Sequence, residues 1–419
     1  MKKSVALLLP TSSYRNEDFL AAAALLKVDV TRIANYCHRL APDWGMPVTL
    51  SVPFDQPEIA LERLKAQFAR RRFDAVLAVD ESGVELAALL SRQFGLQANS
   101  AESVRCLRDK LAFRTLQHAQ RFDAPRIMHV ADAAAFSAQD SKLPFPVVVK
   151  ARRLSASRGV IRADDMNELS HAIRRVAAIQ RQAERDADKL GILIEQFVPG
   201  AEYAFEGMLT DGRLTTLALF DKPDPLDGPF FEETLYVTPS RLDSRTQQRL
   251  IEQIEAHCAA AGLMHGPVHA EARVYDESIV LLEIAPRSIG GLCGRVLRYT
   301  LGVALEELIL RNALALPVAP LRADKAAGVM MIPIPRRGLL SGVKGVAEAR
   351  QFALIEDIVI TTEIDQLVVP LPEGSSYLGF IFARGDTPSE VEQALRAAHA
   401  QLQFEITPEY RLQAATGLN

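Results

Sequence analysis

Hydrophobic positions in the first hundred residues come in short continuous runs separated by amphipathic stretches. Val5–Leu9 is apolar throughout and is followed by the alanine-rich Glu17–Leu26, which has a helical pattern. Val48–Val52 reads as a strand, Ile59–Arg70 as a helix, Asp74–Val79 as another apolar strand and Ser82–Phe94 as an amphipathic helix. Strands without a polar face, alternating with helices, belong to a parallel sheet covered on both sides. The pattern predicts a small α/β domain over residues 1–100.

The pattern then changes. Residues 101–130 read as helical and basic, with Arg105, Arg108, Lys110 and Arg114. Proline cannot donate to a ladder, so the strand after Pro144-Phe-Pro begins at Val147. A polar loop, Ala151–Val160, leads to a helix over Asp164–Gln182 marked by acidic residues at its start. Strands follow at Ile192–Phe197, Tyr203–Leu209, Leu214–Phe220, Val268–Val274 and Ile279–Ile284, an α+β arrangement spanning 101–315. Leu316-Pro-Val-Ala-Pro320 reads as a linker into a third unit, 316–419. Its strands are Gly328–Ile334, Ile358–Thr362 and Leu378–Ala383, and its helix is Ser389–Leu402, capped by Thr387 or Ser389.

Composition narrows the classes. Of 419 residues, 48 are Lys or Arg and 52 Asp or Glu, a net charge of −4 that argues against a nucleic-acid binder. The hydrophobic fraction of 48% supplies sizeable cores and excludes wholesale disorder. No run of about 18 apolar residues is present, so no membrane span or membrane partner is expected. The opening Met-Lys-Lys-Ser-Val is read as the approach to a strand, because the apolar run is too short for a signal peptide. Cys37, Cys106, Cys258 and Cys293 lie far apart, which disfavours zinc and a disulfide framework and makes a reducing cytoplasm the expectation.

Candidate chemistry gathers in three places. In His269-Ala-Glu271-Ala-Arg273 the polar residues alternate onto one strand face. A hairpin-length turn, Tyr275–Ser278, separates this strand from the next, which carries Glu283 and continues into Ala-Pro-Arg287-Ser-Ile-Gly290-Gly291. Two neighbouring carboxylates repel unless a cation lies between them, and magnesium suits carboxylate and phosphate oxygens. The alternative is a charge pattern on a solvated hairpin; Arg287, fit to hold a transferring phosphoryl group, weighs against it. Lys150 ends a buried strand and offers a point charge to phosphate, with Ser155, Ser157, Arg158 and Gly159 in the loop after it. The competing reading is a lysine snorkelling at the surface. Finally, Glu195-Gln196-Phe197-Val198 can meet a purine with its backbone and Phe197, and Glu202 can accept from ribose hydroxyls.

These elements, in this order, resemble the ATP-grasp superfamily over about residues 1–310. Tyr14-Arg-Asn-Glu-Asp-Phe19 and the segment Pro370–Gly385 are similar to bacterial L-amino acid ligases, the dipeptide synthetases. The resemblance implies an ATP-grasp fold with an N-terminal α/β domain of the biotin-carboxylase kind and a C-terminal α+β domain. It implies ATP and magnesium, with manganese as a substitute, and small-molecule carboxylate and amine substrates; a homodimer is the candidate assembly. Lys110 and Lys150 would hold phosphates, with Ser157 and Gly159 in the loop that closes over them. Glu195 to Val198 and Glu202 would hold adenosine, and Glu271 and Glu283 the metal. Arg287 and Glu283 would act in phosphoryl transfer, and His269 in proton removal or in structural hydrogen bonding. Ala285 stands where many members carry a further metal-ligating Asn. The implied reaction is carboxylate–amine ligation through an acyl phosphate. The alternatives are a purine-pathway-type carboxylase or amide synthase, and a non-catalytic nucleotide sensor.

Overall fold

The protein is described by a computed structural model over residues 2–11, 13–35, 50–68, 71–137, 141–321 and 324–409. Four sheets organise these residues. At the N-terminus Ser4–Leu9 lies between Asp29–Ala34 and Ala75–Ala78, parallel to both, with Leu50–Ser51 beyond. Of the expected apolar strands, Ser4–Leu9 is an inner strand and Ala75–Ala78 an edge. Asp29–Ala34 is not expected from its pattern, because only its last two residues, Ile33 and Ala34, are buried. Of the strand expected at Val48–Val52, Leu50–Ser51 is strand and Val52 is not, while residues 48 and 49 lie outside those described, as does Arg70 of the second helix.

The basic helical section is two helices, Ala101–Arg108 and Lys110–Ala119. Asp109 breaks them: its extended backbone stops the first, and its carboxylate caps the second by accepting from the Leu111 N–H at 3.0 Å. A strand, Ile127–Val130, follows where more helix is expected. It joins Ile192–Gln196, Val147–Ala151 and Val160–Ala163 in a small antiparallel sheet. The helix Met166–Ala183 covers that sheet, with Asp165 capping its Asn167 and Glu168 amides. This sheet and helix form the lid.

An eight-stranded antiparallel sheet forms the body. Its order is Ser278–Ala285, Gly266–Tyr275, Ala201–Thr210, Arg213–Asp221, Leu235–Thr238, Ala326–Ile332, Gly379–Gly385 and Ile355–Ile360. Strands from both sides of residue 316 therefore share one sheet. The helix Pro388–His399 packs on the strands of the C-terminal half, and Thr387, not Ser389, caps it through a reciprocal capping box with Glu390. Among the described residues no helix is long and apolar enough to cross a membrane.

Candidate active site

A cavity of about 430 Å³ opens where the lid, the body sheet and the edge of the N-terminal sheet meet. The N-terminal domain contributes the loops after two parallel strands, Ser13-Tyr14-Arg15 and Val79-Asp80-Glu81. Ligands of α/β sheets commonly bind outside such carboxyl ends. Glu81 reaches across to Arg287, 2.6 Å from Nε, and also pairs with Arg108 at 2.8 Å. Burial alone would raise the Glu81 carboxyl, but the two guanidinium groups outweigh it and hold it low. Glu283 lies 3.7 Å from the far end of the same Arg287 guanidinium. Burial opposes the charge on Arg287, and Glu81 and Glu283 more than restore it.

On the lid side Lys150 points into the cavity from its strand, its Nζ 2.6 Å from Glu195. Glu195 also receives Arg114, 2.8 Å away and fully buried. Burial would raise Glu195, yet Arg114 and Lys150 bring it down to about 2. The same burial depresses Lys150, with Glu195 opposing. Lys150 is thus an anchored interior cation and not a surface lysine. Lys110 donates to the Leu154 carbonyl at 2.5 Å and fixes the start of the polar loop. Within that loop Ala156 and Ser157 both hold positive φ, 54° and 55°. Strained backbone of this kind concentrates at functional sites. Gly159, also at positive φ, does not line the cavity; its amide donates to the Pro372 carbonyl at 2.9 Å, and an added Cβ would meet the Ala151 Cβ at 3.0 Å. Gln196, Phe197 and Val198 do line it. Two guanidinium groups, Arg162 and Arg273, sit 4.4 and 5.0 Å from the Phe197 ring centre.

The two strand carboxylates, Glu271 and Glu283, are direct partners in register and both line the cavity. As hard oxygen donors side by side they suit a magnesium ion. Glu271 is also held by His269 and by Lys222, the second of which sequence reasoning does not find. Lys222 reaches Glu202 at 2.7 Å, Glu233 at 2.5 Å and Glu271 at 3.0 Å. His269 bridges two carboxylates, with Nδ1 3.3 Å from Glu206 and Nε2 3.4 Å from Glu271. Burial would lower His269, but the two carboxylates push it up to about 9. Glu206, fully buried, also accepts from the Ile289 amide at 3.0 Å and so ties the His269 strand to the loop after Arg287. Burial and the neighbouring Glu271 raise Glu233 to about 7 against the pull of Lys222.

Arg158 and Gly159 are thus off the cavity wall, while Lys110, Lys150, Ser157, Glu195 to Val198, Glu202, His269, Glu271, Glu283 and Arg287 all line it. The residues missed are mostly counter-ions. Glu206 carried a signal, as a lone charge inside the apolar run Tyr-Ala-Phe-Glu-Gly-Met. Arg114 carried another, as a charge on the apolar side of an amphipathic helix. Glu81, Lys222 and Glu233 lie in polar segments where nothing distinguishes them from solvated charges.

Residues 143–296 match the ATP-grasp domain family, and residues 330–407 match the L-amino acid ligase C-terminal domain 2. The chain is 25% identical to carnosine synthase 1 of Homo sapiens over 64% of this chain and 35% of that protein. It is 22% identical to alanine–anticapsin ligase of Bacillus amyloliquefaciens over 57% of this chain and 53% of that one. The chain thus spans only about a third to a half of these two relatives. The crystal structure of L-amino acid ligase from Bacillus licheniformis superposes with a TM-score of 0.80, covering 97% of this chain and 99% of that one at 24% identity. Residues 143–296 thus carry an ATP-grasp domain and residues 330–407 an L-amino acid ligase C-terminal domain, on a fold shared with L-amino acid ligase.

Proposed function

We propose that this protein uses ATP to join an amino acid, or a related carboxylate, to an amine or a second amino acid, releasing ADP and phosphate. The observation that carries the proposal is the meeting, in one cavity, of two lysines, two paired carboxylates and an anchored arginine. That set suits phosphoryl transfer and lacks an activated nucleophile. Cys293 lines the cavity, but burial first and Glu233 next raise its thiol, so it stays protonated. The names of the relatives, carnosine synthase and alanine–anticapsin ligase, point to the same class.

In this reading Lys110 and Lys150 hold the ATP phosphates, while Gln196 to Val198 and Glu202 hold adenosine. Glu271 and Glu283 are the protein's ligands for magnesium, which when bound neutralises charge on the phosphate oxygens. Arg287, oriented by Glu81, stabilises the γ-phosphoryl group as a substrate carboxylate oxygen attacks it. The product is an acyl phosphate and ADP. An amine nitrogen then attacks the acyl carbon, phosphate departs, and the nitrogen loses a proton to form the amide. His269 has a carboxylate at each ring nitrogen, so it serves as a fixed positive charge beside Glu271 and not as the base. The lid over Ser155–Val160 excludes the water that would hydrolyse the acyl phosphate.

Screening pairs of amino acids for phosphate release, with mass detection of the condensed product, tests the reading. ADP and phosphate are expected in a one-to-one ratio with product. AMP and pyrophosphate as products, or ATP cleavage indifferent to every amino acid pair and stimulated by bicarbonate, would overturn it.

A further inference from the structure

Glu202, Glu233 and Glu271 present three carboxylate oxygens within 4.8 Å of one another, a spacing that a single cation can bridge. The centre of that cluster is taken by the Lys222 ammonium, which has three N–H donors and meets one oxygen from each glutamate. Its side chain is 2% exposed, and its ammonium also lies 5.0 Å from the Tyr236 ring centre. Two further cations flank the cluster without entering it: Arg273 pairs with the other oxygen of Glu202 at 3.0 Å, and His269 approaches Glu271.

We infer that Lys222 is a built-in cation that occupies the Glu202–Glu233–Glu271 cluster and keeps divalent ions out of it, confining them to the Glu271–Glu283 side of the cavity. The inference rests on the assignment of Glu271 and Glu283 as metal ligands made above. Two charges of the same sign cannot share the cluster, because an ion bridging the three oxygens would sit against the ammonium. A covalently held ammonium also keeps its position when the nucleotide leaves, which a magnesium ion does not. Lys222 thereby acts as a positioning residue. It fixes the carboxylate proposed for the ribose, Glu202, relative to the one proposed for the metal, Glu271, whether or not nucleotide is bound. With Ala285 offering no donor two residues beyond Glu283, the protein's share of divalent coordination falls on Glu271 and Glu283.

The test is manganese binding to the full-length protein without nucleotide, followed by electron paramagnetic resonance and by thermal unfolding. Wild type is expected to gain little thermal stability from manganese. Lys222→Met leaves the three carboxylates without their central counter-ion and is expected to acquire one additional manganese site, at least about tenfold tighter than any in wild type. A manganese-dependent rise in unfolding temperature should accompany it. Should the variant fold only with manganese present, that rescue is itself the expected result. Lys222→Met/Glu233→Gln, with one carboxylate fewer, should lose most of the gain. A folded Lys222→Met with no additional site, a gain undiminished in the double variant, or a variant that manganese does not rescue would each overturn the inference. Metal stoichiometry is read without turnover, so a failure of the ligase reading would appear in the amino acid screen and leave this result unchanged.

Discussion

Arg114, Glu195 and Lys150 form a buried chain of charges in which Lys150 is useful only because Glu195 is ionised. Glu195 is held at about 2, against an ordinary value of 4.5, by two cations that outweigh its burial. A depressed carboxyl contributes stability that is complete above the unfolded value and disappears as pH falls through the folded one. At neutral pH Glu195→Gln should therefore destabilise the fold by about 3–5 kcal/mol, since Arg114 is left buried without its partner. As pH falls from about 4.5 towards about 2 the gap between wild type and variant should close. Denaturant unfolding across that range checks this, and parallel curves would show that Glu195 bears no such charge. Glu283 is the contrasting case. It is partly exposed, and its contact with Arg287 is long, so little stability depends on it. Glu283→Gln should leave unfolding nearly unchanged and lower turnover by about 100-fold, the scale of losing one strong electrostatic contact in the transition state. Near-normal turnover at saturating magnesium would remove Glu283 from the mechanism.

At the scale of elements, the lid is fastened from the far end of the chain. Arg175, on the lid helix Met166–Ala183, makes a paired contact with Glu373 at 2.6 and 2.9 Å, beside the Gly159–Pro372 backbone bond. The segment so held continues into Ser375, Ser376 and Tyr377 on the cavity wall. Both partners of the ion pair are substantially exposed, so the contact is worth about 0.5–1 kcal/mol at most. Glu373→Gln should raise phosphate released per product formed roughly two- to fivefold, as a looser lid admits water to the acyl phosphate. A ratio unchanged from wild type would mean that closure does not depend on this contact. None of this was legible in the sequence, because a pair 198 residues apart has no local signature. What was legible follows the same rule. Val147–Ala151 and Ile192–Gln196 are apolar enough to announce themselves, and Glu271 and Glu283 meet because a short turn sets their register. Leu235–Thr238 is only four residues long, too short for a pattern, although all four are buried. Gly338–Lys344 has few buried positions, and Gln403–Thr407, although it alternates polar and apolar residues, is only five residues long with one of them buried.

For the whole molecule, the eight-stranded sheet ties the site to the C-terminal region in a way that the Pro-rich segment near 316–320 conceals. Leu235–Thr238 pairs with Ala326–Ile332, a strand whose seven residues are all buried. The cavity takes Met331 and Tyr377 from beyond residue 316, and Tyr236 and Glu233 from before it. Truncation after residue 315 would strip the partner from Leu235–Thr238 and expose a sheet edge together with the apolar face that Phe380 and Phe382 now cover. Such an edge templates association between chains. Residues 1–315 expressed alone should therefore be recovered as aggregate, or as a species without a cooperative thermal transition. The full chain should unfold with its ATP-grasp and C-terminal strands in one transition that saturating nucleotide shifts upward, by about 2.7 kcal/mol of added stability at a hundredfold excess over Kd. Size-exclusion chromatography and calorimetry on both proteins distinguish the outcomes. A monomeric 1–315 fragment with its own cooperative transition and intact nucleotide binding would show that the shared sheet is two independent halves in contact, and that the C-terminal region closes the site without helping to fold it.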